Sequence, residues 1–445
     1  MLGLTAQVVL LVVALRHHLV WGAGRNFAGI ELRVLLGVGE GIGLLAFTVF
    51  GALALRGALA ETERVDEATA ATWTRSLLRA GILLATVAAL VPPFLSSDVF
   101  DYIARGRVEA HYGANPYVTP PSSLAADDDP VLSLAQWPQF VMPYGPLSAL
   151  AQALCAWLGG AVPWLGVLFF KILTATAHVA TGWLLGRAAP PREAPRVLAL
   201  WLFHPWILLE SCGSAHNEAL VCLALAWMLE RAARDRWLAA TLAFGLAVLT
   251  KHGCAPLGPL LLVAAWRRQR LVPFAGGVAV TAGLTLILAW RYFLKPGALD
   301  FLATQTGNRG TSLQHFAVLV TDPSAAPWLL WGGYAATLAT LAWAAARTRA
   351  LEDFARRGVD VMVVFVVLAM PLFSPWYHLW WAPLCARIAA RDGPTVALRA
   401  LAWLGPLSYG VYACTRQLDL GHQVWAWTLA CAAPALLALR PRPGR

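Results

Sequence analysis

The sequence predicts an all-α, polytopic membrane helix bundle of about 13–14 transmembrane helices with short helices beside the membrane. Three observations carry this. The 445 residues are 59% hydrophobic and 13% charged, against roughly 25% charged in soluble domains. Apolar runs near the 20-residue spanning length recur from end to end. The charges between them alternate by side. The whole chain, 1–445, reads as one integral-membrane domain.

The elements follow in order. The first run, 2–15, lies in a signal-like stretch, MLGLTAQVVLLVVALRHHLVWG. It lacks an early basic residue and a small-x-small cleavage site, so a retained helix is expected. Runs at 34–55 and 77–95 lead to a long polar loop, 96–145. Segment 146–160 is apolar, yet counting it as a span spoils the charge pattern, so an interfacial or re-entrant helix is expected. Spans follow at 163–186, 197–213, 218–233, 237–250, 254–266 and 271–294. A second polar loop, 295–325, precedes spans at 326–346, 359–374, 377–390, 396–413 and 422–439.

Charge orients the bundle. With loop 96–145 outside, alternation places Arg187, Arg192 and Arg196 inside, then Arg231, Arg234 and Arg236, then Arg267, Arg268 and Arg270. Arg347, Arg349, Arg356, Arg357, Arg387, Arg391 and the tail RPRPGR follow on the same side. Six consecutive inner segments thus obey the positive-inside rule. The 16–33 loop, nominally outside, is less regular, with Arg16, Arg25 and Arg33. The formal charge of +10 is therefore topological. It is dispersed, without a basic-aromatic tract, which argues against a nucleic-acid partner. The seven Cys lie in or beside apolar runs, none in CxxC, so neither a disulfide framework nor a zinc site is expected.

Chemistry collects opposite the arginines. Six of ten His (His111, His216, His252, His315, His378 and His422) fall at outer ends or loops, with Asp98, Asp101, Asn217 and Lys251. That sorting points to a polar site on the outer face. Each residue also has a structural reading. Asp98, after Ser96-Ser97, could cap a helix. Asp101 and Arg105 are spaced i,i+4 and suit a pair on that helix. The run Asp127-Asp128-Asp129 suits a solvated loop. His216, Asn217 and Glu218 open a span as a cap or a site. Lys251, one of three Lys, could meet lipid phosphate or a substrate phosphate. Glu210, inside a span, needs a partner. Trp376, Tyr377, Trp380 and Trp381 suit a membrane-interface belt or a sugar-stacking surface. Lys171, His178 and His204 are polar residues within spans.

The stretch SSDVFDYIARGRVEAHYGANPY with MPYGPL at 142–147 resembles the first outer loop of bacterial GT-C glycosyltransferases. SAHNEAL at 214–220 and AVLTKHG at 247–253 resemble further segments of the polyprenol-phosphate-mannose-dependent α-mannosyltransferases. The resemblance covers roughly residues 75–260. His252-Gly253 stands where that pattern has Pro-Gln. The resemblance implies a GT-C fold and a catalytic carboxylate at Asp98. It also implies a sugar, foremost mannose, carried on a polyprenyl phosphate, and a glycan or glycolipid acceptor. Transfer would occur on the extracytoplasmic face of a bacterial inner membrane. Asp98 would be the general base of an inverting attack. Lys251, His252, His216, Asn217, Glu218, Arg309, His378 and Tyr377 would hold donor phosphate or substrate, with Asp101, Arg105 and Glu210 secondary. The lipid-linked sugar is a co-substrate; no cofactor is expected, and no metal cluster is visible, though two nearby acids could hold a divalent ion loosely. Two other readings stand: a lipid-linked glycan flippase or transporter, and a glycan ligase or polymerase on a related scaffold.

Overall fold

A chain that excludes water must satisfy its backbone polar groups internally, and helices do so. The computed structural model describes residues 30–93, 95–124, 128–300, 311–388, 390, 392–417 and 422–440. The expected first span and Arg309 lie outside them. Among the described residues the regular elements are all helical. Glu67–Leu90 begins at Asp66, whose side chain accepts from the Thr69 N–H at 2.9 Å. Pro146–Gly159, Pro163–Ala188 and Pro205–Leu208 begin on proline, whose missing N–H would be unpaired there in any case.

Among the described residues four helices are long and apolar enough to cross a membrane: Glu67–Leu90, Pro163–Ala188, Leu271–Tyr292 and Ala326–Arg347. Val272 is 85% exposed, Trp290 77% and Trp328 79%, so the last two helices turn bare apolar faces outward, as contact with lipid requires. Trp206, Leu202, Leu225, Phe354, Trp380 and Trp381 are buried in one core. The chain is an all-α, polytopic membrane protein.

Glu218–Ala233 and Trp237–Thr250 occupy their expected spans. Three spans differ. The 197–213 run is broken into Ala194–Leu202, Pro205–Leu208 and a π-helical turn, Leu209–Gly213, because Pro205 cannot continue a helix. The 359–374 run begins earlier, as Leu351–Val364, and ends in a π turn, Phe365–Ala369. The 377–390 run is not an α-helix. It forms two 3₁₀ segments, Pro375–Trp380 and Ala382–Arg387, each with a proline in its first two residues. Pro146–Gly159 has 14 residues and is about 21 Å long at 1.5 Å per residue, shorter than a hydrocarbon core of about 30 Å.

Helix ends sort into two groups. At one, Glu230 meets Arg187, Arg231 and Arg234. Arg387 reaches Glu352 and the Ala188 carbonyl, and Arg356 reaches the Arg440 carbonyl. The 3₁₀ segments therefore return the chain to the arginine end, despite their geometry. The opposite end holds the polar cluster described next.

Candidate functional site

The cluster begins where the 197–213 run breaks. The π turn Leu209–Gly213 leaves carbonyls without helical partners. Lys171, fully buried, donates to the Cys212 carbonyl at 3.0 Å and to that of Gly213. His178 Nδ1 lies 3.0 Å from Ser211 Oγ, and His204 Nε2 lies 2.6 Å from the Leu398 carbonyl. These three intraspan polar groups thus serve the fold. After the turn, Ala215 adopts φ 57°, a left-handed conformation uncommon outside glycine. The chain doubles back there, and the His216 N–H bonds the Glu210 carbonyl at 2.9 Å.

His216 sits at the centre. Its Nδ1 is 3.7 Å from Asp98 Oδ2, and its Nε2 is 3.2 Å from Glu210 Oε2. The latter pair is close without an aligned N–H···O. The Tyr409 hydroxyl donates to Glu210 Oε1 at 2.9 Å. The Trp376 indole stacks on the imidazole, centroids 3.8 Å apart and planes at 19°. Burial opposes a charge on His216. The neighbouring Glu210, then Asp98 and Glu218, outweigh it and raise the imidazole above its ordinary 6.5.

Asp98 is the first residue of Asp98–Ala110; Ser97 is the cap, with no side-chain capping bond. The capping alternative for Asp98 therefore does not hold, and its carboxylate faces the cluster instead. One turn on, the Tyr102 hydroxyl lies 3.4 Å from Asp98 Oδ2 and 3.5 Å from His216 Nδ1. Burial, then Tyr144 and Asp98, hold the Tyr102 phenol well above its usual range, so it remains a neutral donor. The Asp98 side chain is 23% exposed, whereas those of Glu210 and Glu218 are 0%. Asp98 is thus the carboxylate of this cluster that an incoming molecule can reach.

Asp101 faces elsewhere. It pairs with Arg105 at 3.7 Å and accepts from the Trp137 and Gln136 N–H groups at 2.9 and 3.4 Å. Arg105 also donates to the Phe140 carbonyl. The two pin the long loop onto the helix. Asp129, the last acid of its run, is no free loop charge. It is buried and bonded to Arg107 and Tyr112. The Asn-Pro-Tyr turn anchors the loop's far side. Asn115 Nδ2 donates to the Tyr292 carbonyl at 2.7 Å, and the Tyr117 hydroxyl to the Tyr144 carbonyl at 2.7 Å.

Lys251 closes the other flank, in a direct ion pair with buried Glu218. Its ammonium lies 4.8, 5.3 and 5.8 Å from the ring centres of Tyr144, Tyr377 and Trp380. The Gly145 N–H bonds the Thr250 carbonyl at 3.0 Å, drawing the MPYGPL loop onto this helix end. A Cβ on Gly145 would stand 2.1 Å from the Leu249 carbonyl oxygen, so only glycine fits. Asn217 donates to Ser148 Oγ at 3.1 Å. His252 is exposed beside Lys251.

The structure thus brings Asp98, His216, Glu210, Glu218, Lys251 and Tyr377 to one end, with Asn217 just behind. It does not bring His378, whose Nε2 lies 2.6 Å from the Ala430 carbonyl and whose Nδ1 accepts from Trp381. Helical 3₁₀ geometry turns that side chain away from its neighbours Trp376 and Tyr377. Tyr102, Tyr144 and Tyr409 were not anticipated. Tyr102 sits i+4 from Asp98, a readable signal; Tyr409, 199 residues from Glu210, has none. Among the described residues no three His, Cys, Asp or Glu side chains are grouped to hold a metal ion.

Comparison with known proteins gives consistent results. A family model described as alpha-(1->6)-mannopyranosyltransferase, N-terminal domain, matches residues 1–268. Alpha-(1->6)-mannopyranosyltransferase A of Mycobacterium tuberculosis is 25% identical over 452 residues, covering 93% of this chain and 81% of the relative. Its Corynebacterium glutamicum namesake is 28% identical over 174 residues, covering 38% and 35%. Alpha-(1->6)-mannopyranosyltransferase B of that organism is 27% identical over 137 residues, covering 30% and 22%. No solved structure matches.

Proposed function

The chain belongs to the alpha-(1->6)-mannopyranosyltransferase family and is a membrane glycosyltransferase, and from that premise we propose its substrates, catalytic base and sidedness. The donor is a polyprenyl-phosphate-linked mannose, and the acceptor is a hydroxyl of a glycan or glycolipid. The site faces the extracytoplasmic side of a bacterial inner membrane. The gathering of arginines at the other end supports that orientation.

In the reaction the acceptor oxygen attacks the anomeric carbon. The new C–O bond forms as the bond to phosphate breaks, and its electron pair leaves on the phosphate. The acceptor's proton passes to Asp98 and from there to solvent. Attack opposite the phosphate inverts the anomeric centre. Lys251 takes the leaving-phosphate side: Glu218 accepts one of its N–H groups, and an ammonium has three. Exposed His252 flanks it. The lipid-linked sugar is a co-substrate, and no resident cofactor enters this reading.

One observation carries the base assignment: Asp98 is partly exposed while its neighbouring carboxylates are sealed and occupied. A transporter reading loses its support, since Lys171, His178 and His204 are committed to structural contacts. The test uses purified protein in nanodiscs, polyprenyl-phosphate-mannose and an α-mannan acceptor. Asp98→Asn should lower kcat about 10²–10⁴-fold, the usual contribution of a positioned base, with melting unchanged. Wild-type turnover in Asp98→Asn would remove Asp98 from the role.

A further inference from the structure

His216 is held by more devices than a substrate contact needs. A π turn and a left-handed Ala215 aim it, and such irregularities persist only where the surroundings fix them. Trp376 clamps its face. Its two nitrogens address two carboxylates, Asp98 in front and Glu210 behind. Glu210 is fully buried, with Tyr409 on its other oxygen. Among the described residues no Lys or Arg pairs with this buried carboxylate, which needs a cation, and the imidazole is placed to be one.

We infer that His216 and Glu210 are positioning residues for Asp98: an imidazolium anchored by Glu210 holds the Asp98 carboxylate ionised and aimed at the acceptor. This rests on Asp98 being the base. A general base must be unprotonated at the moment of attack, and an opposite charge nearby favours that form. The other groups facing His216 are consistent with this. Tyr102 from Asp98–Ala110 is a neutral phenol. Glu218, at the head of Glu218–Ala233, is neutralised by Lys251. Trp376 brings no charge, and Tyr409 acts through Glu210. The proton taken from the acceptor stays on Asp98 until solvent removes it, and His216 keeps its own throughout.

The arrangement of charges predicts a pH profile of kcat/KM with an alkaline limb that follows loss of the His216 charge. Glu210→Gln removes the counter-charge, so the imidazolium gives up its proton more readily. The alkaline limb should move to lower pH by about one unit or more, a tenfold loss on that limb with less loss at lower pH. Tyr409→Phe, which only weakens the hold on Glu210, should move it the same way by less. A folded Glu210→Gln that is inactive at every pH, or uniformly slower with the limb unmoved, overturns the inference. If Glu210→Gln does not fold, Tyr409→Phe decides by the same limb. No transfer by the wild type, or full transfer by Asp98→Asn, refutes the proposed function instead.

Discussion

Lys251 and Glu218 permit a stringent test of the site's electrostatics. Glu218 is 0% exposed and its Oε2 has no hydrogen-bond partner, so the Lys251 ion pair on Oε1 carries its neutralisation. Unit charges about 4 Å apart attract by about 4 kcal/mol at an effective dielectric of 20. Glu218→Gln strands an ammonium, but three aromatic rings remain around it, each contact worth about 0.5–2 kcal/mol. Its net loss should be about 3 kcal/mol. Lys251→Met leaves a buried carboxylate with nothing comparable, at the upper end of about 3–5 kcal/mol for a broken buried pair. Simple addition gives about 7–8 kcal/mol for the double variant. Because neither charge then remains, the double variant should instead lose less than about 2 kcal/mol. Unfolding of the four proteins in one detergent, followed by Trp fluorescence against denaturant, gives the coupling directly. A double variant as unstable as the sum would mean that the two charges do not depend on each other.

Backbone contact and titration supply two further tests. A Cβ on Gly106 would stand 2.2 Å from the Gln152 carbonyl oxygen, so Gly106→Ala must part Asp98–Ala110 from Pro146–Gly159; a loss of about 1–3 kcal/mol is expected. Gly57→Ala, with nothing within 4 Å, should instead be neutral or stabilising by up to about 1 kcal/mol, and equal effects would refute the close approach. Burial holds the Asp101 carboxyl above its ordinary 3.8, against the pull of Arg105 and two backbone amides. Its folded proton affinity exceeds the unfolded one, so its favourable contribution is full below 3.8 and fades as pH rises through the folded value. The stability of the wild type relative to Asp101→Asn should therefore decline with rising pH across that acid window, and parallel pH–melting curves would contradict it.

Much of the scaffold was legible because apolar runs bounded by Arg or Asn mark their own ends, as at Glu218–Ala233 and Trp237–Thr250. Hydropathy could not distinguish an α-helix from 3₁₀ segments in SPWYHLWWAPLC, although Pro375 and Pro383 were the cue. That one difference sends Trp376 and Tyr377 into the cluster and His378 away from it. Within the cluster, Glu210 announced itself as an acid inside a span. Its partner Tyr409 did not, since a tyrosine near the far end of the chain carries no local sign of what it touches. Lys251 could be seen to matter, but the claim of Glu218 on its charge is a matter of folding.

The tie between Asn115 and the Tyr292 carbonyl has a consequence for biogenesis. The two residues are 177 positions apart, a gap that takes a ribosome roughly 10–35 s to fill at about 5–20 residues per second. Throughout that interval the loop has only its own contacts, such as Asp101 with Arg105 and Tyr117 with the Tyr144 carbonyl. The Asn115 side of its Asn-Pro-Tyr bend must wait for a later helix to be threaded into the bilayer. The loop's last fastening thus depends on the arrival of Leu271–Tyr292, well before the ribosome lets go.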